Sequence, residues 1–207
     1  MMALTPQTIR EYDRTAPAET ETATATFGLG CFWGPEAAFA ALSGVVRTAV
    51  GYAGGTTSDP TYHDLTDHTE VVRLAYNPAT ISYHDLLEHV FKTYSHRSQP
   101  AKRQYHRVVL AETDRQADAA ETAVAEITAG HETVATRLER LETFYVGESY
   151  HQKHGLRGKR WVTEVFDEAG YDDDAFRRSP AAAKLHAHVT GHTVDVPFLN
   201  ARSRDAA

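Results

Sequence analysis

Cysteine is almost absent: the 207 residues hold one, Cys31. A lone thiol closes no internal disulfide and supplies no cysteine-rich metal site. Methionine is nearly as scarce, with only Met1 and Met2, so the rest of the chain offers oxidants no thioether. Nowhere does an apolar run reach about 18 residues, which excludes a membrane-spanning helix. Residues 1–19 are polar and lack the basic head and apolar centre of a signal peptide. A soluble, cytoplasmic protein is therefore expected, and a single cysteine agrees with a reducing compartment. Excess positive charge is missing as well. The formal net charge of -7 argues against a nucleic-acid partner, because such binding rests on neutralising phosphates with Lys and Arg.

What is present reads as alternating elements. Residues 22–30 mix Thr, Ala and Phe and predict a strand closed by glycines, followed by a helix over 35–42 with Pro35 in its first turn. Strands are predicted over 45–52, over 70–76 with a stop at Asn77-Pro78, and over 105–111. Leu86, Leu87, Val90 and Phe91 recur at helical spacing behind Ser82, a helix cap, and an Ala-rich helix fills 114–129 up to Gly130. Residues 134–144 suit an exposed strand, 148–154 a short helical turn, and Trp161, Val165 and Phe166 one more helix. The fold class is α+β, a central mixed β-sheet covered by helices. Residues 1–20 are expected as a flexible lead-in and 21–158 as the catalytic domain. Residues 159–207 are expected as an extension of one helix and a polar tail, disordered near 202–207.

Cys31 lies in Gly30-Cys31-Phe32-Trp33-Gly34, between the first strand and the first long helix. A thiol attacks as thiolate, and the unpaired N–H groups at a helix start favour that anion. The bland alternative is a cysteine serving as small core filler. The glycine-framed junction, with two large aromatics beside the sulfur, makes the reactive reading the equal of that one.

The motif Gly30-Cys31-Phe32-Trp33-Gly34-Pro35-Glu36 resembles the signature of A-type peptide methionine sulfoxide reductases. The resemblance continues in order through Gly51-Tyr52-Ala53-Gly54-Gly55, Pro60-Thr61-Tyr62, His68-Thr69-Glu70-Val71-Val72, Tyr76-Asn77-Pro78, Gln104-Tyr105 and Tyr150-His151-Gln152-Lys153. It implies a mixed sheet with ferredoxin-like strand pairing, and reduction of the S epimer of methionine sulfoxide in oxidised proteins or as the free amino acid. It implies Cys31 as nucleophile, Glu70 as the acid that protonates the sulfoxide oxygen, and Tyr62 and Tyr105 as hydroxyl donors to that oxygen. Phe32 and Trp33 resemble the wall for the substrate methyl group, and His151 a hydrogen-bonding residue beside the substrate.

The chemistry is coherent on its own terms. Sulfoxide sulfur becomes electrophilic once its oxygen is protonated or firmly hydrogen-bonded. A carboxyl group does this near neutral pH if burial raises its pKa, and phenols donate without charge. Loss of the thioether leaves a cysteine sulfenic acid.

Two departures from the family pattern stand out. Family members commonly carry further cysteines near the C-terminus, and this chain has none. An external thiol must then resolve the sulfenic acid, whether thioredoxin, glutaredoxin or a small thiol, and no bound cofactor is expected. Pro100 stands where the family has an Asp that binds the substrate amide, the loop from His96 is short, and Asp67 replaces a Gly beside His68. Lys102, Arg103 and Arg107 make this rim basic, which favours an anionic substrate or partner. A weak relative acting as a redox sensor or binding module is the rival reading. A metal site at His186-x-His188-x-x-x-His192 is another; exposed tail histidines explain that spacing better.

Overall fold

The structure, a computed structural model, describes residues 4–199. In chain order the elements are α1 (Pro6–Thr15), β1 (Ala23–Leu29), α2 (Trp33–Ala41), β2 (Val45–Ala53), β3 (Thr69–Tyr76), α3 (Tyr83–Thr93), β4 (Arg107–Ala111), α4 (Asp114–Ala129), β5 (Arg137–Arg140), β6 (Tyr145–Val146), α5 (His154–Arg157), α6 (Arg160–Glu168), α7 (Asp173–Arg178) and α8 (Pro180–Val189). Local chemistry sets the boundaries. The Ser82 hydroxyl accepts from the Asp85 N–H at 3.1 Å while the Asp85 carboxylate accepts from the Ser82 N–H at 2.9 Å, so two orphan donors of α3 are satisfied reciprocally.

The strands form one sheet in the order β5-β4-β1-β3-β2-β6. Its centre, β4-β1-β3-β2, is antiparallel throughout, and β5 joins β4 in parallel, which makes the sheet mixed. With α2 linking β1 to β2 and α3 linking β3 to β4, this is the expected ferredoxin-like pairing in an α+β fold. Alternate residues of β3 separate the two faces. Val72 and Leu74 join Phe27, Phe39, Leu86, Leu87 and Val90 under the helices, while Val71 joins Val108 and Leu110 on the other face, against Leu141 and Phe144. Burying such a side chain stabilises the fold by roughly 2 kcal/mol. Gly51 is required where β6 closes on β2: a Cβ there would lie 2.1 Å from the Tyr145 carbonyl oxygen. That closure brings the segment carrying Glu148 and His151 to the sheet.

Both ends are more ordered than expected. The lead-in contains α1, started by Thr5 and by Pro6 in its first turn, with Ile9 buried. The Asp13 carboxylate accepts from the Ala181 N–H at 2.7 Å and the Tyr171 hydroxyl at 2.9 Å, tying α1 to the C-terminal helices. Beyond residue 159 there are three helices rather than one. Ile9, Leu156, Val162, Phe166, Leu185, Val196 and Phe198 form a second core, so the expected polar tail packs as α8 and the buried segment after it. The disorder expected near 202–207 lies outside the described residues. No helix among the described residues is long and apolar enough to cross a membrane.

Candidate active site

Gly30 has φ +93° and turns the chain sharply from β1 towards α2. Cys31 follows in an exposed position. The Trp33 N–H, at the start of α2, donates to its sulfur, as expected from a helix end. The expected net preference for thiolate does not follow. Burial of the thiol's surroundings and the charge of Glu70 outweigh that one donor and push the Cys31 thiol above its ordinary value.

Glu70 is the second residue of β3 and 1% exposed. One carboxylate oxygen accepts from the Phe32 N–H at 3.1 Å and the other from the Gln104 side-chain amide at 2.5 Å. The Glu70 carboxylate is thus bonded to the residue next to Cys31. Burial raises the Glu70 carboxyl above its ordinary value, against the partial opposition of Gln104, Phe32 and the Lys102 charge. Gln104 is buried in the short turn Arg103–Tyr105 ahead of β4. The sequence marks it only as the neighbour of Tyr105; its bond to Glu70 spans 34 positions and leaves no local signal.

Tyr105 stands partly exposed at the end of that turn. Its phenol is raised by burial first, then by the charges that Glu70, Tyr62 and Cys31 carry when ionised, and by a polar contact with Tyr62. The four side chains expected to do chemistry therefore converge. Tyr62 is held by its backbone: its N–H donates to Glu148 at 2.9 Å, and the Tyr52 hydroxyl donates to the same carboxylate at 2.6 Å. Glu148 is a site residue that the sequence reading missed. Desolvation acts on it, yet those two donors hold its carboxyl below the usual range.

Phe32, Trp33, Tyr62 and His151 make the aromatic wall. The His151 ring lies 5.0 Å from Phe32, 4.6 Å from Tyr62 and 5.8 Å from Trp33, centroid to centroid, and the Trp33 indole stacks on His154 at 3.7 Å. The Trp33 indole N–H donates to His151 Nδ1 at 3.2 Å. Indole nitrogen only donates, so His151 Nδ1 must be unprotonated and the ring neutral with its hydrogen on Nε2. Burial, partly opposed by the Glu148 charge, lowers the His151 pKa in the same sense.

The substituted loops are braced from within. Asp67 accepts from the N–H groups of Thr56 and Thr57 at 2.7 and 3.4 Å, and so clamps the loop after Gly55. Gln99 donates to the carbonyls of Arg107 and Ala135, both at 2.7 Å, and its own carbonyl accepts from the Arg107 N–H at 2.7 Å. These bonds tie the loop ahead of Gln104 and Tyr105 to the first residue of β4 and to the segment before β5. The histidine reading is corrected in one respect. His186 is no exposed tail residue: it is 1% exposed, and its Nε2 accepts from the Gly155 N–H at 3.3 Å. Among the described residues no cluster of His, Cys, Asp or Glu is arranged to hold a metal ion.

Residues 23–177 match the family described as peptide methionine sulfoxide reductase. The chain belongs to that family. A peptide methionine sulfoxide reductase of Drosophila melanogaster is 37% identical over 172 residues, which is 82% of this chain and 69% of the relative. The reductase MsrA of Natronomonas pharaonis is 43% identical over 145 residues, 64% of this chain and 82% of the relative. Among solved structures, methionine sulfoxide reductase A of Corynebacterium diphtheriae superposes with a TM-score of 0.60 at 28% identity, covering 67% of this chain and 76% of its own. Reduced Mxr1 of Saccharomyces cerevisiae gives 0.60 at 27% identity, over 70% and 91%. The family segment reaches α7, so the methionine sulfoxide reductase part extends past the boundary expected near 158.

Proposed function

We propose that this chain reduces methionine-S-sulfoxide, free or in oxidised proteins, by attack of Cys31 Sγ on the sulfoxide sulfur. Glu70, protonated, gives its hydrogen to the sulfoxide oxygen as the thiolate attacks, and Tyr62 and Tyr105 donate hydrogen bonds to that oxygen. The S–O bond breaks and the oxygen ends on Cys31, leaving the thioether and a cysteine sulfenic acid. The substrate sulfur gains two electrons and Cys31 loses two. An external thiol then displaces water from the sulfenic acid to form a mixed disulfide, and a second thiol releases Cys31. Phe32 and Trp33 face the substrate methyl group, and neutral His151 orients Trp33. A thioredoxin, a glutaredoxin or a small thiol meets the chemical need. A reducing compartment such as the cytoplasm keeps Cys31 usable.

One observation carries this reading: the buried Glu70 carboxyl, inclined to hold its proton, is bonded to the N–H adjacent to Cys31. The test is turnover of S and R sulfoxides with dithiothreitol, with a sulfenic-acid trap. The expected result is S-selective reduction, lost in Cys31→Ser. Peroxide-formed sulfenic acid without sulfoxide reduction would instead establish the sensor role.

A further inference from the structure

Three cations rim the site, and two are already engaged. Arg103 donates to the carbonyls of Asp67 and Gly54, at 2.5 and 2.9 Å, and Arg107 to the carbonyl of Ser98 at 2.6 Å. Lys102 differs. Its ammonium stands 5.4 Å from the centre of the Tyr105 ring, on an exposed residue. Among the described residues no carboxylate or carbonyl accepts a hydrogen bond from it. It is close enough to the acid for its charge to act on Glu70. Of the three cations, Lys102 alone thus has no oxygen acceptor among the described residues.

We infer that Lys102 is a specificity-determining residue that pairs with a carboxylate on the sulfoxide substrate. Two sources supply that chemistry: the α-carboxylate of free or C-terminal methionine sulfoxide, and an acidic side chain flanking the residue in a peptide. The inference rests on the proposed reductase reading and names its substrate class. Pairing also helps the chemistry. A substrate carboxylate that neutralises Lys102 removes the field opposing Glu70's hold on its proton, so the correct substrate favours the protonated acid. The geometry is consistent with a substrate whose methyl group meets Phe32 and Trp33 while its charged end passes over Tyr105.

The test compares N-acetyl-methionine-S-sulfoxide with its uncharged amide, and amidated sulfoxide peptides flanked by Glu or by Gln, in wild type, Lys102→Met and Lys102→Arg. Wild type is expected to favour the carboxylate form in at least one pair by about fivefold in kcat/KM, the range of a partly exposed ion pair. Added salt compresses the ratio. Lys102→Met brings it near one and Lys102→Arg keeps it. The responding pair identifies the source of the carboxylate. Equal rates in both pairs for wild type, or a preference unchanged in Lys102→Met, overturn the inference. Calorimetric Kd values for the same compounds on Cys31→Ser, with and without Lys102→Met, separate this from failure of the parent reading. A Lys102-dependent Kd difference without turnover in wild type leaves carboxylate binding standing and removes the reductase. Turnover without any Lys102-dependent difference does the opposite.

Discussion

Glu70 accepts the Phe32 N–H at 3.1 Å, and through that bond the acid of β3 is locked to the backbone just after Cys31. Glu70 and Cys31, the proposed acid and nucleophile, therefore share one frame, and they also share a field. Burial first, and then the Glu70 charge, raise the Cys31 thiol, while burial raises the Glu70 carboxyl. The proposed reaction needs thiolate and neutral carboxyl together. The two groups therefore titrate as a coupled pair, and the proposed reactive form is the arrangement that keeps one proton, on Glu70.

Glu70→Gln should follow from that coupling. The variant loses the proton donor, so kcat/KM with an S sulfoxide should fall by about 10² to 10⁴. The wild-type profile is expected to be bell-shaped, rising as the pair loses its first proton and falling as it loses the second. In Glu70→Gln the residual rate should simply rise with pH as thiolate forms. Removing the carboxylate charge should also lower the Cys31 pKa, read from the pH dependence of alkylation. An unchanged thiol pKa would break the link between the two groups.

Trp33→Phe tests the wall. It keeps an aromatic ring and removes the indole N–H that His151 Nδ1 accepts at 3.2 Å. The loss is worth about 1 kcal/mol and should appear mainly in KM, because substrate placement rather than proton transfer suffers. That indole donor requires an unprotonated Nδ1, so its removal should raise the His151 pKa, measurable by NMR titration. A fall in kcat alone would contradict the assignment.

His186 gives a stability signature at acid pH. Burial, against the opposing charge of Glu36, lowers its pKa from 6.5 to about 4. Between those values the unfolded chain takes up a proton that the folded chain refuses. The stability present above about 6.5 is therefore lost as pH falls towards 4. The shift corresponds to about 3 kcal/mol. His186→Gln can still accept from Gly155 but does not titrate. Its stability deficit relative to wild type, from denaturant unfolding, should narrow by about that amount between pH 7 and pH 4.

Most of the central sheet could be read from the sequence because its strands are rich in β-branched residues and end at Gly or Asn-Pro, as β3 does at Asn77-Pro78. Cys31 and Glu70 stood out as candidates because each sits in a local motif. The links between distant segments were not. Gln104 to Glu70, and Glu148 to Tyr52 and Tyr62, join positions 34, 96 and 86 apart. The ends were misread for another reason. In α8, Ala181, Ala182, Ala183 and Ala187 bury little area each, and Lys184 and His186 are polar but buried, so no hydrophobic stripe marks the helix. The Lys184 ammonium reaches the carbonyls of Ala40 and Leu42 at 2.8 and 3.0 Å, which no periodicity could announce.

Lys153 and Glu36 form a buried polar link between α2 and the segment that follows β6. Lys153 Nζ lies 2.9 Å from Glu36, and both side chains are fully buried. The Lys153 N–H donates to the other oxygen of Glu36 at 3.0 Å, and its Nζ donates to the carbonyls of Thr48 and Arg177. Glu36 belongs to α2, which Cys31 leads into, and Lys153 ends the segment that carries His151, so the pair fixes those two segments relative to each other. Lys153→Met would strand the Glu36 charge in the interior, a loss of about 3 to 5 kcal/mol. Adding Glu36→Gln should recover a substantial part, because the cost comes from an uncompensated charge rather than from the lost attraction. A double-mutant cycle by denaturant unfolding measures it. If the double variant is as unstable as the sum of the single ones, Lys153 acts through packing and its backbone bond, and the ion pair has no part in holding the site together.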